Sequence, residues 1–300
     1  MRVEGPFVAL VTPFRNGKLH EKRLRELVRF QIDNGTLGLV LCGTTGEAPT
    51  LSQAENWRIF EIVIEEARGK VTVVAGTGTY STAATIEATR EAHDLGADMA
   101  MVITPYYNKP TQEGLFRHFE AVALGVDLPL MVYNVPARTG VNLQPSTAER
   151  LSRIDTIVAI KEASGNLGQV SEIVDRCGDR VRIFSGDDSL FVPILSVGGV
   201  GVVSVVGNLV PQDVRALYEA YRESNLSKLK EAHRKLFPLC RAMFYETNPI
   251  PVKTALNLMG MDVGDLRLPL VPMSDGNRKR LVEALKSYGL LSQVEYADQV

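Results

Sequence analysis

In this 300-residue chain, the residues able to do chemistry fall where apolar runs end. The sharpest case is Thr156 to Gly165, T-I-V-A-I-K-E-A-S-G. Ile157, Val158, Ala159 and Ile160 offer no polar face, so the stretch reads as a strand covered on both sides. It ends on Lys161, where an ammonium is costly unless it is paired, exposed or neutral. Two readings stand. Lys161 either marks the strand's exit into solvent, or is an amine kept neutral by burial so that it attacks a carbonyl and forms a Schiff base. The second requires a lysine brought from about 10.4 to near 7.5, which costs the charged form roughly 4 kcal/mol.

Other strand ends supply companions. The run P-L-M-V-Y-N carries Tyr133, a phenol that either packs across the mouth of the fold or transfers protons. G-T-T-G-E (43–47) holds Thr44 and Thr45, which cap a helix or line a loop. In Y-N-V-P-A-R-T-G, Arg138 braces loop carbonyls or offers its planar fork to a substrate carboxylate. T-P-Y-Y-N-K-P follows a fourth run and S-G-D-D a seventh. The collection is hydroxyls, tyrosine, arginine and lysine, with no carboxylate pair and no histidine. A Ser-His-Asp triad lacks its base, and metal-assisted aldol chemistry lacks its ligands. His20, His93, His118 and His233 are scattered, the two in the middle within helical patterns where a structural role is expected. Cys42, Cys177 and Cys240 lie far apart and odd in number. That is neither a zinc pattern nor a disulfide framework, and it suits a reducing cytoplasm.

These residues need elements to position them. Eight short apolar runs begin near Phe7, Leu37, Val71, Asp98, Pro129, Thr156, Val181 and Gly201, with amphipathic stretches between them. In one such stretch Leu24, Leu27, Val28 and Gln31 share a face. Another opens with Ser52 and has Glu55 three residues later, the pattern of a capping box. Strand and helix alternating eight times predict an α/β fold, a (β/α)8 TIM barrel over 1–224. An open doubly wound sheet is the rival, but no G-x-G-x-x-G follows the first run. From 225 to 300 only helical patterns occur, broken by N-P-I-P and L-R-L-P-L-V-P, so a C-terminal helical appendage is expected, with a frayed polar end at 292–300. A composition 45% hydrophobic and 23% charged, with net charge -2, is that of a globular protein without a basic stripe, which argues against nucleic acid. The opening apolar run is too short for a signal peptide or a membrane span.

Taken in order and spacing, G-T-T-G-E, T-P-Y-Y-N-K-P, Y-N-V-P-A-R-T-G and I-K-E-A-S-G resemble the dihydrodipicolinate synthase family, within the pyruvate-dependent class I aldolase (N-acetylneuraminate lyase) group. The resemblance runs from about Pro6 to Leu291. It implies a cytoplasmic lyase of lysine and diaminopimelate biosynthesis that condenses pyruvate with L-aspartate 4-semialdehyde to 4-hydroxy-tetrahydrodipicolinate, without metal or cofactor. By the same resemblance Lys161 forms the imine and Tyr133 shuttles protons. Thr44 links Tyr133 to Tyr107, which the family donates from a neighbouring subunit of a homotetramer built as two tight dimers. Thr45 and the backbone around Gly186 and Val203 surround pyruvate, and Arg138 engages the semialdehyde carboxylate. Pyruvate's own carboxylate gives a reason for the scarcity of acids, since an Asp or Glu there would repel it. Glu162, next along the strand from Lys161, is expected on the opposite side.

Members of this family inhibited by lysine hold the effector with imidazoles and a carboxylate at a subunit interface. Here the corresponding positions are Gln53, Asn56 and Ala84, with Ala48, Pro49 and Tyr80 nearby, and only Tyr106 fits. Weak or absent inhibition by lysine is therefore expected. Other aldolases of the group share the lysine and tyrosine, but Tyr107 and Arg138 in their motifs favour the synthase. A silent barrel that senses a keto acid or amino acid is the rival from another class; covalent attachment of pyruvate distinguishes it.

Overall fold

A computed structural model describes residues 3–292. The eight runs become strands: β1 (Gly5–Ala9), β2 (Gly38–Leu41), β3 (Thr72–Gly76), β4 (Met99–Ile103), β5 (Leu130–Asn134), β6 (Ile157–Glu162), β7 (Arg182–Ser185) and β8 (Gly201–Ser204). All pair in parallel, each with its sequence neighbours, and β1 closes the ring by pairing with both β2 and β8. Among the described residues this closed eight-stranded sheet carries the fold, and it is the TIM barrel expected from the alternation. Covered inside and out, the strands need few polar residues, which is why they appear in sequence as unbroken apolar runs.

The helices follow in the same order: α1 (Glu21–Asp33), α2 (Gln53–Ala67), α3 (Thr82–Asp94), α4 (Gln112–Gly125), the short α5 (Pro136–Thr139) and α6 (Pro145–Leu151), then α7 (Leu167–Cys177), α8 (Phe191–Ser196) and α9 (Pro211–Arg222). Leu24, Leu27, Val28 and Gln31 are the buried face of α1. Ser52 and Glu55 form the capping box at the start of α2, satisfying two backbone donors that would otherwise lack partners.

The barrel's interior is small and apolar: Phe7, Ala9, Val40, Val74, Met99, Met101, Met131, Ala159, Phe184 and Val203 fill it, with Tyr133 and Val135 toward one end. Gly38 is a glycine for a steric reason, since a Cβ there would sit 2.7 Å from the Phe7 ring. A separate apolar layer joins the outer face of the strands to the helices, with Ile160 among its members. Ala159 inward and Ile160 outward set the phase of β6, so Lys161 faces in and Glu162 faces out.

Three further helices, α10 (Leu226–Ala242), α11 (Ile250–Leu258) and α12 (Asp275–Tyr288), complete the described chain. α10 packs on α9, and the Tyr288 hydroxyl of α12 donates to Asp213 Oδ2 at 2.6 Å. α11 and the segments flanking it reach the barrel mouth. Lys253 Nζ donates to Glu47 Oε1 at 2.8 Å, and the Arg267 backbone N–H donates to Glu47 Oε2 at 3.0 Å. Residues 293–300, most of the polar segment expected to fray, lie outside the described residues.

Candidate active site

The site is built where the strands run out. Tyr133 and Lys161 are paired in register across β5 and β6, and Phe184 follows across β7. Residues paired in this way project side by side from neighbouring strands. The Lys161 Nζ accordingly sits 4.0 Å from the centre of the Tyr133 ring. Lys161 is only 5% exposed, so the solvent-exit reading fails. Burial pushes this lysine down to about 7, the charge of Asp188 pulling the other way and that of Arg138 adding to the fall. At neutral pH a large share of it is therefore the free amine a nucleophile requires.

Tyr133 is buried as well, and its phenol is pushed up by desolvation; the Thr44 side chain hydrogen-bonds it and, with Arg138, offsets part of that rise. A protonated phenol beside a neutral amine is a proton donor within the site. Thr44 and Thr45 come from the tight turn after β2, held by Gly46 N–H to Gly43 C=O at 3.1 Å and Glu47 N–H to Thr44 C=O at 3.1 Å. Glu47 closes that turn in the left-handed conformation, φ 56°, a geometry rare for residues other than glycine, asparagine and aspartate. Its side chain is held by Lys253 and Arg267.

Gly186 follows β7 and passes close behind the lysine. A Cβ there would lie 3.3 Å from Lys161 Cε and 2.6 Å from the Ala163 Cβ, so the backbone approaches as only glycine permits. Val203, in β8, faces the same interior. Arg138 lies on α5 at the rim, exposed, with Nη2 donating to the Asn248 carbonyl at 3.2 Å. The structure thus gathers Lys161, Tyr133, Thr44, Thr45, Gly186, Val203 and Arg138 at one end of the barrel. It does not bring in Tyr107, which stands 91% exposed with φ 70° on the loop after β4.

Glu162 takes the opposite side of β6, as the alternation requires. It is buried behind the strand, accepting from Asn134 Nδ2 at 3.0 Å and from the Ser164 N–H at 2.7 Å. Of the histidines, His93 is half exposed, whereas His118 is buried on α4 with Nδ1 2.9 Å from the Thr82 hydroxyl. Burial pushes His118 down to about 4, so at neutral pH it is an uncharged packing residue. Among the described residues no group of three or more His, Cys, Asp or Glu is placed to hold a metal.

Two members of the site were not found from sequence. Asp188, from the S-G-D-D stretch, is a buried carboxylate accepting from the Val205 and Val206 N–H groups at 2.8 and 3.0 Å. Burial raises it, and those donors together with Ser204 pull it back down. The sequence reading looked for a carboxylate pair, and a single acid turned toward backbone amides fell outside that search. Asn248, from N-P-I-P, donates through Nδ2 to Thr45 Oγ1 at 2.9 Å. Its only sequence mark was a proline-rich break between helical patterns.

Comparison with known proteins bears on what this arrangement does. The model of the dihydrodipicolinate synthetase family matches residues 2–288. The chain belongs to that family. It is 51% identical over 288 residues to the 4-hydroxy-tetrahydrodipicolinate synthase of Pelobacter propionicus, covering 96% of this chain and 99% of the relative. With the enzyme of the same name from Thermomicrobium roseum the identity is 54% over 285 residues, covering 95% and 94%. The crystal structure of a chloride-inhibited dihydrodipicolinate synthase from Acinetobacter baumannii, complexed with pyruvate, superposes with a TM-score of 0.94 at 41% identity, covering 97% of this chain and 100% of that one. Members of the dihydrodipicolinate synthetase family are thus similar to this chain over nearly its whole length, the barrel mouth included.

Proposed function

We propose that this lyase condenses pyruvate with L-aspartate 4-semialdehyde to 4-hydroxy-tetrahydrodipicolinate through an imine on Lys161. The observation that carries the mechanism is a buried amine, brought down to about 7 by that burial, lying against a protonated phenol at the barrel mouth. The amine lone pair attacks the ketone carbon of pyruvate. The resulting carbinolamine loses water, its oxygen leaving with a proton that Tyr133 supplies. Loss of a methyl proton turns the imine into an enamine, whose carbon attacks the aldehyde and forms the new C–C bond while the aldehyde oxygen takes up a proton. The amino group of the semialdehyde then attacks the imine carbon, closes the ring and releases Lys161. Activation is covalent throughout, so no cofactor is assigned.

In this reading Thr44 relays protons to and from Tyr133, and Tyr107 of a neighbouring subunit completes the relay. The exposure of Tyr107 in the single chain supports that assignment. A monomer should then be nearly inactive, and a homotetramer made of two tight dimers is the assembly assigned. Thr45 and the backbone at Gly186 and Val203 surround pyruvate, and Arg138 takes the semialdehyde carboxylate. The barrel (1–224) and the C-terminal helical region (225–300) work as one unit, because Asn248 reaches Thr45 and Arg138 together. All three cysteines are free and buried, which agrees with a cytoplasmic enzyme.

The test is to reduce the protein with borohydride in the presence of pyruvate and locate the mass gain by peptide mapping. A single adduct on Lys161 is expected. No adduct on folded protein would remove the imine and favour a non-catalytic barrel. Arg138→Ala should still trap pyruvate while losing use of the semialdehyde; an equal loss of both would remove the role given to Arg138.

A further inference from the structure

Asn248 lies between α10 and α11, outside the barrel strands, and is 5% exposed. Its side chain and main chain serve different partners. Nδ2 donates to the Thr45 hydroxyl at 2.9 Å, whereas the main-chain carbonyl accepts from Arg138 Nη2 at 3.2 Å. Its Oδ1 is buried with no hydrogen-bond partner among the described residues, an arrangement that is uncommon and calls for a reason.

A threonine hydroxyl has one proton and two lone pairs. When its oxygen accepts from Asn248, its proton remains to be donated elsewhere, and an anion is the acceptor that gains most from it. Turning the amide over would give Oδ1 the Thr45 proton, but would leave the two N–H groups of Nδ2 without an acceptor and withdraw the proton from the cleft. We propose that Asn248 is a positioning residue that fixes the Thr45 hydroxyl as a donor to the carboxylate of pyruvate. The inference rests on the reading of Thr45 as part of the pyruvate site. It assigns the C-terminal segment a share in first-substrate recognition that none of the strand-end motifs contains. The link to Arg138 runs through the backbone, so replacing the Asn248 side chain leaves that contact in place and separates the two substrates experimentally.

The experiment is steady-state kinetics with each substrate varied, on the wild type, Asn248→Ala and Asn248→Asp, each alone and combined with Thr45→Val, together with borohydride trapping. Asn248→Ala should raise KM for pyruvate about 10-fold, the scale of one hydrogen bond to a charged group. The semialdehyde KM and kcat should stay within about twofold. In the Thr45→Val background Asn248→Ala should change nothing further, since the hydroxyl it orients is gone. Asn248→Asp keeps the shape but has no N–H; it takes the Thr45 proton and should raise the pyruvate KM beyond the alanine variant. Its purely electrostatic share is read from the Thr45→Val combination. Equal increases in both KM values, an alanine effect that persists without the Thr45 hydroxyl, or a neutral Asn248→Asp would each overturn the assignment. Trapping on the wild type keeps the parent reading separate: no adduct sinks the imine, whereas an adduct with additive kinetics sinks the role of Asn248 alone.

Discussion

Lys161 and Lys253 make an instructive pair. Both are almost fully buried, at 5% and 1% exposed, and each holds its nitrogen over an aromatic ring, Tyr133 at 4.0 Å and Phe14 at 4.5 Å. Burial disfavours the charged form in both. They differ in what else is supplied. Lys253 has the Glu47 carboxylate at 2.8 Å and the Asp265 carbonyl at 2.6 Å, which hold a charged ammonium as a clamp. Among the described residues, Lys161 has no carboxylate or carbonyl at hydrogen-bond distance; the Asp188 charge acts on it while that carboxylate is spent on backbone amides. One lysine is a fastener and the other, in the function proposed above, the nucleophile, and the difference is a carboxylate in contact.

The largest expected effect comes from removing the nucleophile. Lys161→Met should abolish the borohydride-trapped adduct and turnover, yet raise stability, because it removes an ionisable group that burial penalises by about 4 kcal/mol. Urea unfolding alongside activity checks both halves; a less stable variant would break the comparison. At the other lysine the sign reverses. Lys253→Met strands the buried Glu47 carboxylate and should cost about 3–5 kcal/mol, with much of it regained in Lys253→Met/Glu47→Leu. Denaturant midpoints of the single and double variants measure this.

The pH profile gives a smaller effect. Lys161 is the free amine above about 7, so trapping of pyruvate should fall about tenfold per pH unit below that point and level off above it. The stability linkage has a definite sign. The folded value lies below the unfolded 10.5, so between about 7 and 10.5 the unfolded chain binds more protons. This group's contribution therefore improves with rising pH across that window, and its full penalty applies below it. A pyruvate-trapping profile flat from pH 5 to pH 8 would contradict the neutral-amine account.

The smallest effect concerns a lysine outside the chain. Free lysine needs a carboxylate as Lys253 needs Glu47, and the positions that the resemblance matches to the effector site, Gln53, Asn56 and Ala84, offer none. Activity should be almost unchanged at submillimolar lysine; strong inhibition in a titration would show that another acid takes the ammonium.

The strands were legible because burial on both faces writes an apolar run, and the cap of α2 because Ser52 and Glu55 are three residues apart. Lys161 stood out as a charge at the end of such a run, and G-T-T-G-E and Y-N-V-P-A-R-T-G pointed to neighbours that the structure gathers near it, whereas Tyr107 of T-P-Y-Y-N-K-P stands apart. Asn248, Lys253 and Arg267 left no such mark. Their partners Thr45 and Glu47 lie 203, 206 and 220 residues away in sequence, and no local period encodes a pairing over that distance. Glu47 was visible only as the last letter of G-T-T-G-E, while its conformation and its two partners, the Lys253 ammonium and the Arg267 main-chain N–H, emerge when the chain is folded.

Those same separations set an order of events during synthesis. A ribosome releases all eight strands before it makes Asn248, Lys253 or Arg267, so an emerging barrel holds Glu47 with no cation and Thr45 with no amide. The turn that carries Thr44 and Thr45 therefore cannot complete its hydrogen bonds until the C-terminal segment is made, although it follows the second strand. A chain that ended after the barrel would lack Asn248, Lys253 and Arg267, and with them the hydrogen bonds that hold Thr45 and Glu47.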